Sequence, residues 1–394
     1  MAEDLRVLFV NHMGWNPRLG GARPQLDLLR DMAERGVSVE RFGFADAFGE
    51  HRRSRLREWL GPDFQFEARR FVRAHAKRFD VIDAHQGNLP FGKSELGFSG
   101  LLVTRSAGPF IWLREVTSRF ERTERRRARQ RLSHARNLWL RSRWTKYYAG
   151  SLQHCDLILV QNRAEADYVG RTLAPGQRCL VIPPGLTDTR RAQFAAAASP
   201  LREKLRRATV VCITRWSPEK GSRDWPAIVR RVREAVPSAK FLFLGTGSSV
   251  EDVERDLGPE ISKSVQIVPS FDPDDLPELL SGATVGAFPS YMEGFGLAVL
   301  EMLAAGLPVV AYDVPGPREM LGDYPGIPLV FPGAVDMFSS LLVRVLQASN
   351  DSYDAFGQCS RLAASRFDSV TSTLRTLNAY REGLATLSAG AGEH

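Results

Sequence analysis

Glu293 and Glu301 stand on either side of a Gly294-Phe295-Gly296 turn in the stretch PSYMEGFGLAVLEMLAAGLPVV, residues 289–310. Two carboxylates around such a turn can do chemistry if the turn opens a helix. The first amides of a helix lack internal partners and its dipole is positive there, so the turn seats an anion. Glycines let a phosphate come close to the backbone. Gly294, Phe295, Gly296 and Leu297 are therefore candidate donor-binding residues for a phosphate-bearing ligand. Glu301 lies about one turn further in, and helical side chains tilt toward the N-terminus, so its carboxylate can reach back past the phosphate. There it needs hydrogen-bond donors, and a ribose diol supplies two. Glu293 would face sugar hydroxyls across the diphosphate. The spacing fits a nucleotide sugar; the plainer alternative is a helix whose first turn merely attracts an acidic residue.

Arg215 and Lys220, in ITRWSPEKG at 213–221, are the matching cations. From one strand-helix loop they can converge on a diphosphate, the arginine as a fork and the lysine as a point charge. With the helix dipole they would stabilise a leaving nucleoside diphosphate without a metal. The alternative is that both only solvate the loop. No D-x-D sequence falls in a metal-suited place, and DPDD at 272–275 reads as a helix cap, so no metal is expected. The Gly-Thr-Gly beginning at Gly245 lacks the lysine and hydroxyl of a P-loop. Gly20-Gly21 before a helix reads by itself as a turn. His85 ends an apolar run, where it serves either as a catalytic group or as a structural histidine.

These residues are spaced along a repeating pattern. LRVLFV (5–10), VSVERF (37–42), FDVIDAH (79–85), GLLVT (100–104), CDLILV (155–160) and RCLVIPPG (178–185) read as strands with helical patterns between them. The alternation restarts with ATVVCIT (208–214), KFLFLG (240–245), SVQIVP (264–269), TVGAFP (284–289) and LPVVAYD (307–313). Near-continuous apolar strands separated by helices mean parallel sheets covered on both faces. Two such blocks in 394 residues predict two doubly wound α/β domains with a crevice between them. The expected division is an N-terminal domain over 1–190, an alanine-rich surface linker over 191–207 and a nucleotide-sugar-binding domain over 208–372. A terminal helix over 373–394 follows.

At this point the motifs resemble a known family. EGFGLAVLE matches the E-x7-E motif of the retaining glycosyltransferase family four, of GT-B fold, also described as glycosyl transferases group 1. ITRWSPEKG, FLFLGTG and AAGLPVVAYDVPGPREML are similar to its flanking strand-loops, most strongly over 208–322. RFDSVTSTLRTLNAYREGL is similar to its final helix, which returns to the N-terminal domain. The resemblance implies two Rossmann-like domains facing a central cleft. It implies a retaining, metal-independent transfer of sugar from a nucleotide-sugar donor, UDP- or GDP-linked, to a hydroxyl of a glycan, lipid-linked or small-molecule acceptor. Arg215, Lys220, Glu293 and His85 would be catalytic. Gly20, Gly21, Gly245 and Glu301 would join the turn in donor binding. His85 corresponds to the second histidine of an HxH-like strand end, and Asp83 replaces the first. Where the family usually has a histidine near the sugar, LLVTRSAG has Arg105-Ser106, and these two with Trp15 are the acceptor-side candidates. VPSFDP replaces a glycine-containing turn near the base. Epimerase, glycan phosphorylase and non-catalytic nucleotide-sugar-binding alternatives share the fold.

Composition bounds the rest. Hydrophobic content of 43% and charged content of 25% suit a globular chain, and no apolar run approaches the ~20 residues of a membrane span. An acidic start that enters a strand at once argues against a signal peptide. Four cysteines without metal spacing suggest free thiols in a reducing cytoplasm. Residues 114–146 hold twelve Arg/Lys against three Glu, a formal +9, which leaves −1 for the remainder of the +8 chain. This basic segment is a solvated helix face, a dock for an anionic membrane surface at its inner face, or a direct contact to an anionic acceptor. No recognition motif accompanies it, so nucleic acid is not expected as a partner.

Overall fold

A computed structural model describes residues 5–13, 15, 22–49, 64–108 and 131–391; for 131–141 and 390–391 it describes only the helical backbone. The described residues up to Gly185, together with those from Ser369 on, form one compact unit, and Leu186–Asp368 forms another.

In the first unit six strands lie in the order β2-β1-β3-β4-β5-β6, every adjacent pair parallel. They are β1 (Arg6–Asn11), β2 (Ser38–Gly43), β3 (Val81–His85), β4 (Leu101–Arg105), β5 (Leu157–Val160) and β6 (Cys179–Val181). Their side chains alternate between two cores, as a pleated strand covered on both sides requires. Leu8, Val10, Ile82, Leu102 and Ile158 face one core, which the helices Phe64–His75 and Arg131–Gln153 cover with Phe64, Val72, Tyr148 and Leu152. Val7, Phe9, Val81, Val103 and Leu157 face the other, closed by Leu28 and Met32 of the helix Arg23–Glu34 and by Leu377 and Tyr380 of the helix Ser369–Ala391. That last helix is pinned to this unit by Ser372 Oγ donating to the Pro183 carbonyl at 2.6 Å and Arg375 Nη2 to that of Val181 at 2.7 Å.

The second unit has five parallel strands in the order β11-β10-β7-β8-β9. They are β7 (Thr209–Ile213), β8 (Lys240–Leu244), β9 (Val265–Val268), β10 (Val285–Phe288) and β11 (Val309–Ala311). Chain order runs β7-β8-β9 toward one edge, then returns to place β10 on the free side of β7. That reversal is a topological switch point, where the loops after β7 and β10 diverge to opposite faces and leave room for a ligand.

The expected linker over 191–207 is not a linker. Residues 188–207 form two helices of the second unit, Asp188–Ala197 and Leu201–Arg207. Alanine favours helix, the Thr187 side chain caps the first, and Phe194, Arg190 and Lys204 turn inward, each no more than 5% exposed. Buried Lys204, held down to about 8 by desolvation, donates to the Ala305 carbonyl at 3.4 Å. Alanine and arginine content misled the surface reading, because an arginine can be core when its fork is paired.

All four cysteines are free, and Cys155 and Cys212 are buried, in the first and second unit respectively. Among the described residues no helix is long and apolar enough to cross a membrane.

Candidate active site

Lys220 and Glu293 come from the two loops that flank the switch point of the second unit. Lys220 ends a 3-10 turn, Pro218–Lys220, and Gly221 follows at φ 85°. Only glycine suits that position: a β-carbon would be in a left-handed conformation and would run into the Pro289 carbonyl at the end of β10. The two loops are further joined by the Tyr291 N–H donating to the Glu219 carbonyl at 2.9 Å. Held in this way, Lys220 Nζ donates to Glu293 Oε2 at 2.7 Å and to the Met292 carbonyl at 3.3 Å. Both side chains are about one-fifth exposed, at 20% and 22%, so the pair is reachable from outside the core.

Behind them Asp224 Oδ2 accepts from Tyr291 at 2.9 Å and from Tyr312 at 2.6 Å. Burial first, and then the Asp224 carboxylate, push both phenols above their ordinary range, so they remain donors. This brace ties the loop after β10 to the start of the helix Trp225–Ala235 and to the end of β11. Nothing in the sequence marked it, since a lone aspartate and two tyrosines carry no spacing signal.

Gly296, at φ 90°, opens the helix Leu297–Ala304, so the predicted glycine-rich helix start is present. A β-carbon there would press on Glu293 Cγ at 3.2 Å. The Phe295 side chain is 3% exposed and meets the Phe367 ring at 5.5 Å, edge to face, so its contribution to a ligand is confined to the backbone. Arg215 follows β7, is exposed, and among the described residues has no ion-pair or hydrogen-bond partner. Its stem lies 3.8 Å from where a Gly247 β-carbon would be. Gly245, at φ 71°, makes the turn after β8 and leaves space for the Phe271 ring from the loop after β9; its work is backbone conformation.

Glu301 is 8% exposed and meets a residue that sequence reasoning passed over: Arg190 Nη2 donates to Glu301 Oε1 at 3.2 Å. The signal was faint, one arginine among many in an alanine-rich stretch.

The first unit revises several expectations. Arg105, expected on the acceptor side, is committed to the fold: its Nη2 and Nε donate to Asp83 at 2.6 and 3.0 Å, and the Tyr380 hydroxyl donates to the same carboxylate. Asp83 is 1% exposed, so its charge needs this guanidinium. Ser106 is fully buried, with its hydroxyl against Gln86 and Glu165. Burial pushes that Glu165 carboxyl up to about 7. Trp15 packs its ring over Gly43 at the end of β2, with the Arg41 guanidinium 5.7 Å from its centroid. Gly20 and Gly21 lie outside the described residues.

His85 is at the end of β3 beside β1, the switch point of this sheet, and is 6% exposed. Burial, then the nearby His12 and Arg105, hold it down to about 3, so it is a neutral imidazole and a weak base. Its ring is 5.6 Å from that of His12, which follows β1 and contacts the Asn88 amide. His12 was legible only as a histidine just past a strand. Of the basic segment, residues 109–130 and the side chains of 131–141 lie outside the description. Beyond them Tyr148 is core, the Trp144 ring lies tilted 5.5 Å from that of His12, and Arg143 Nε donates to the Tyr147 hydroxyl at 2.8 Å.

Residues 195–362 match the family model for glycosyl transferases group 1, a segment that contains Arg215, Lys220, Glu293 and Glu301. An O-antigen chain mannosyltransferase B of Escherichia coli is 37% identical over 109 residues, 27% of this chain and 28% of its own. A GDP-mannose-dependent alpha-(1-6)-phosphatidylinositol monomannoside mannosyltransferase of Mycobacterium tuberculosis is 31% identical over 151 residues, 35% of this chain. The chain thus spans 28% and 39% of the lengths of these two relatives. A sucrose-phosphate synthase structure from Thermosynechococcus elongatus superposes with a TM-score of 0.71 at 19% identity, covering 97% of this chain and 100% of the other, a likeness of fold. Residues 195–362 are thus similar to the glycosyl transferases group 1, and the two parallel-sheet units have the fold of GT-B proteins.

Proposed function

We propose that this chain is a retaining glycosyltransferase that takes its sugar from a nucleoside diphosphate. The observation that carries the proposal is the Lys220–Glu293 pair at 2.7 Å, set at the switch point between the loop after β7 and the glycine turn after β10. Lys220 neutralises Glu293, so an anionic diphosphate can approach the turn without facing an uncompensated carboxylate. Arg215 adds a second cation from the same loop, and the amides that open the helix Leu297–Ala304 add a third donor set. Together they supply the positive field that a divalent metal would otherwise provide to a leaving diphosphate, so no metal is required in this reading.

In the reaction the bond from the anomeric carbon to the phosphate oxygen breaks. A bond to the acceptor oxygen forms on the same face, and the acceptor proton passes to the departing phosphate oxygen. His85, held neutral and buried, is not needed as the base; it lines the first unit's switch point with His12. The names of the relatives support a glycan or glycolipid acceptor. The basic composition of 114–146 supports delivery at an anionic lipid surface.

The test is a thermal-shift and hydrolysis screen against UDP-, GDP-, ADP- and dTDP-sugars, with and without chelator. Stabilisation by one nucleoside diphosphate, and slow chelator-insensitive hydrolysis of its sugar, are expected. Absence of both for every nucleotide would overturn the reading, and full turnover to an isomerised donor without acceptor would replace it by an epimerase.

A further inference from the structure

Arg190 lies five residues ahead of the segment that matches the family model, yet its guanidinium reaches Glu301 inside it. It sits in the first turn of the helix Asp188–Ala197, where its own N–H donates to the Thr187 cap at 3.1 Å. The residue is 3% exposed, and its guanidinium carbon is 4.6 Å from the centre of the Phe194 ring. Nη2 donates to the Pro273 carbonyl at 2.6 Å and to Glu301 Oε1 at 3.2 Å, and Nη1 to Gln193 Oε1 at 3.3 Å. One planar fork is thereby shared among its own helix, the loop after β9 and the helix after β10. A flexible lysine has a single nitrogen and no plane, and could not hold the same three directions.

We propose that Arg190 is a positioning residue: it fixes the Glu301 carboxylate to receive the ribose hydroxyls of the donor and registers it against the loop after β9. The proposal rests on the nucleotide-sugar reading above. Glu301 has Leu300 and Met302, both fully buried, as its chain neighbours, so a carboxylate there needs a counter-charge to be held in one orientation. Arg190 supplies the charge, and through its Oε1 contact it sets the rotation of the carboxylate about its stem. A pair that merely stabilised the fold would have no reason to bear on how the ligand's sugar is read.

The experiment is calorimetric titration with UDP and GDP, each beside its 2′,3′-dideoxy counterpart. For whichever base binds, the wild type is expected to favour the ribose form by about tenfold or more, since hydrogen bonds to a charged group exceed ordinary ones. In Arg190→Met the ratio is expected to fall to about threefold or less, with the dideoxy affinity little changed. Arg190→Lys, which keeps charge and bulk, secures the test if the methionine variant fails to fold; its ratio is expected between the two. An unchanged ratio in either folded variant would overturn the role of Arg190 and leave the donor reading standing. A wild type that binds nucleotide without distinguishing the sugars would overturn the ribose role of Glu301 and this proposal with it. A wild type that binds neither nucleotide would overturn the donor reading itself.

Discussion

Lys220 and Arg215 differ in what holds them, and their variants are expected to differ accordingly. Lys220→Ala leaves Glu293 without its 2.7 Å partner beside the glycine turn, so it removes a cation and unmasks an anion. Turnover should fall by about 10²-fold or more, with weakened nucleotide binding. Arg215 has no ion-pair partner among the described residues, so Arg215→Ala removes only a cation. A similar loss of kcat is expected, with little change in melting temperature. Near-normal rates in both variants would contradict the assignment. Buried titratable groups give a second test, in pH. The folded chain holds a proton on Glu165 up to about 7 that an unfolded chain releases near 4.5, so this residue lowers stability as pH rises through that window. His85 acts in the opposite sense: unfolded it gains a proton near 6.5, folded only near 3, so its contribution is lost as pH falls between those values. Glu165→Gln should therefore gain on the wild type by about 3 kcal/mol between pH 4.5 and 8, read by denaturant melts; a constant offset would refute it.

The strands, the helix start at Gly296 and the acidic pair around it could be read from pattern and spacing, because each is a local consequence of periodicity and glycine conformation. What could not be read is whatever depends on which element covers which. Arg105 looked like a ligand contact because it stands where the resembling family usually has a histidine near the sugar. Its real partners are Asp83, twenty-two residues earlier, and Tyr380, on a helix that arrives only at the end of the chain. Arg190, at the end of the expected N-terminal domain, carried no signal for the same kind of reason: its partners Pro273 and Glu301 lie 83 and 111 residues later. The Arg105–Asp83–Tyr380 cluster predicts a cost in stability: Arg105→Met strands a carboxylate that is 1% exposed and should destabilise the first unit by about 3–5 kcal/mol. Tyr380→Phe, which leaves the ion pair intact but removes a hydrogen bond to the carboxylate, should cost about 1.5–3 kcal/mol. Equal effects in chemical denaturation would show that the pair is not the dominant tie. At the loop after β7, Gly221→Ala should cost about 1–3 kcal/mol through its positive φ and the Pro289 carbonyl, and also lower turnover because Lys220 is the preceding residue.

At the scale of the whole chain, two sheets of similar plan carry different work. The second holds the groups suited to a diphosphate, and it coincides with the segment whose family is recognisable. In the first, the groups at the matching switch point, His12, His85 and Asn88, are neutral. The basic segment is the other chain-scale feature, and sedimentation with anionic vesicles tests it. Binding at low salt that fades as salt is raised is expected, and failure to bind at low salt removes the membrane role. The distribution of the thiols has a practical consequence. Cys155 and Cys212 are both buried, one per unit, and burial raises both thiols, Cys155 to about 11. Neither should react with an alkylating reagent until its own unit opens, so the native chain carries a built-in clock for each half. Mass-resolved labelling with a nucleoside diphosphate present should slow the Cys212 clock while Cys155 keeps its pace, which would assign the ligand to one half without a single mutation.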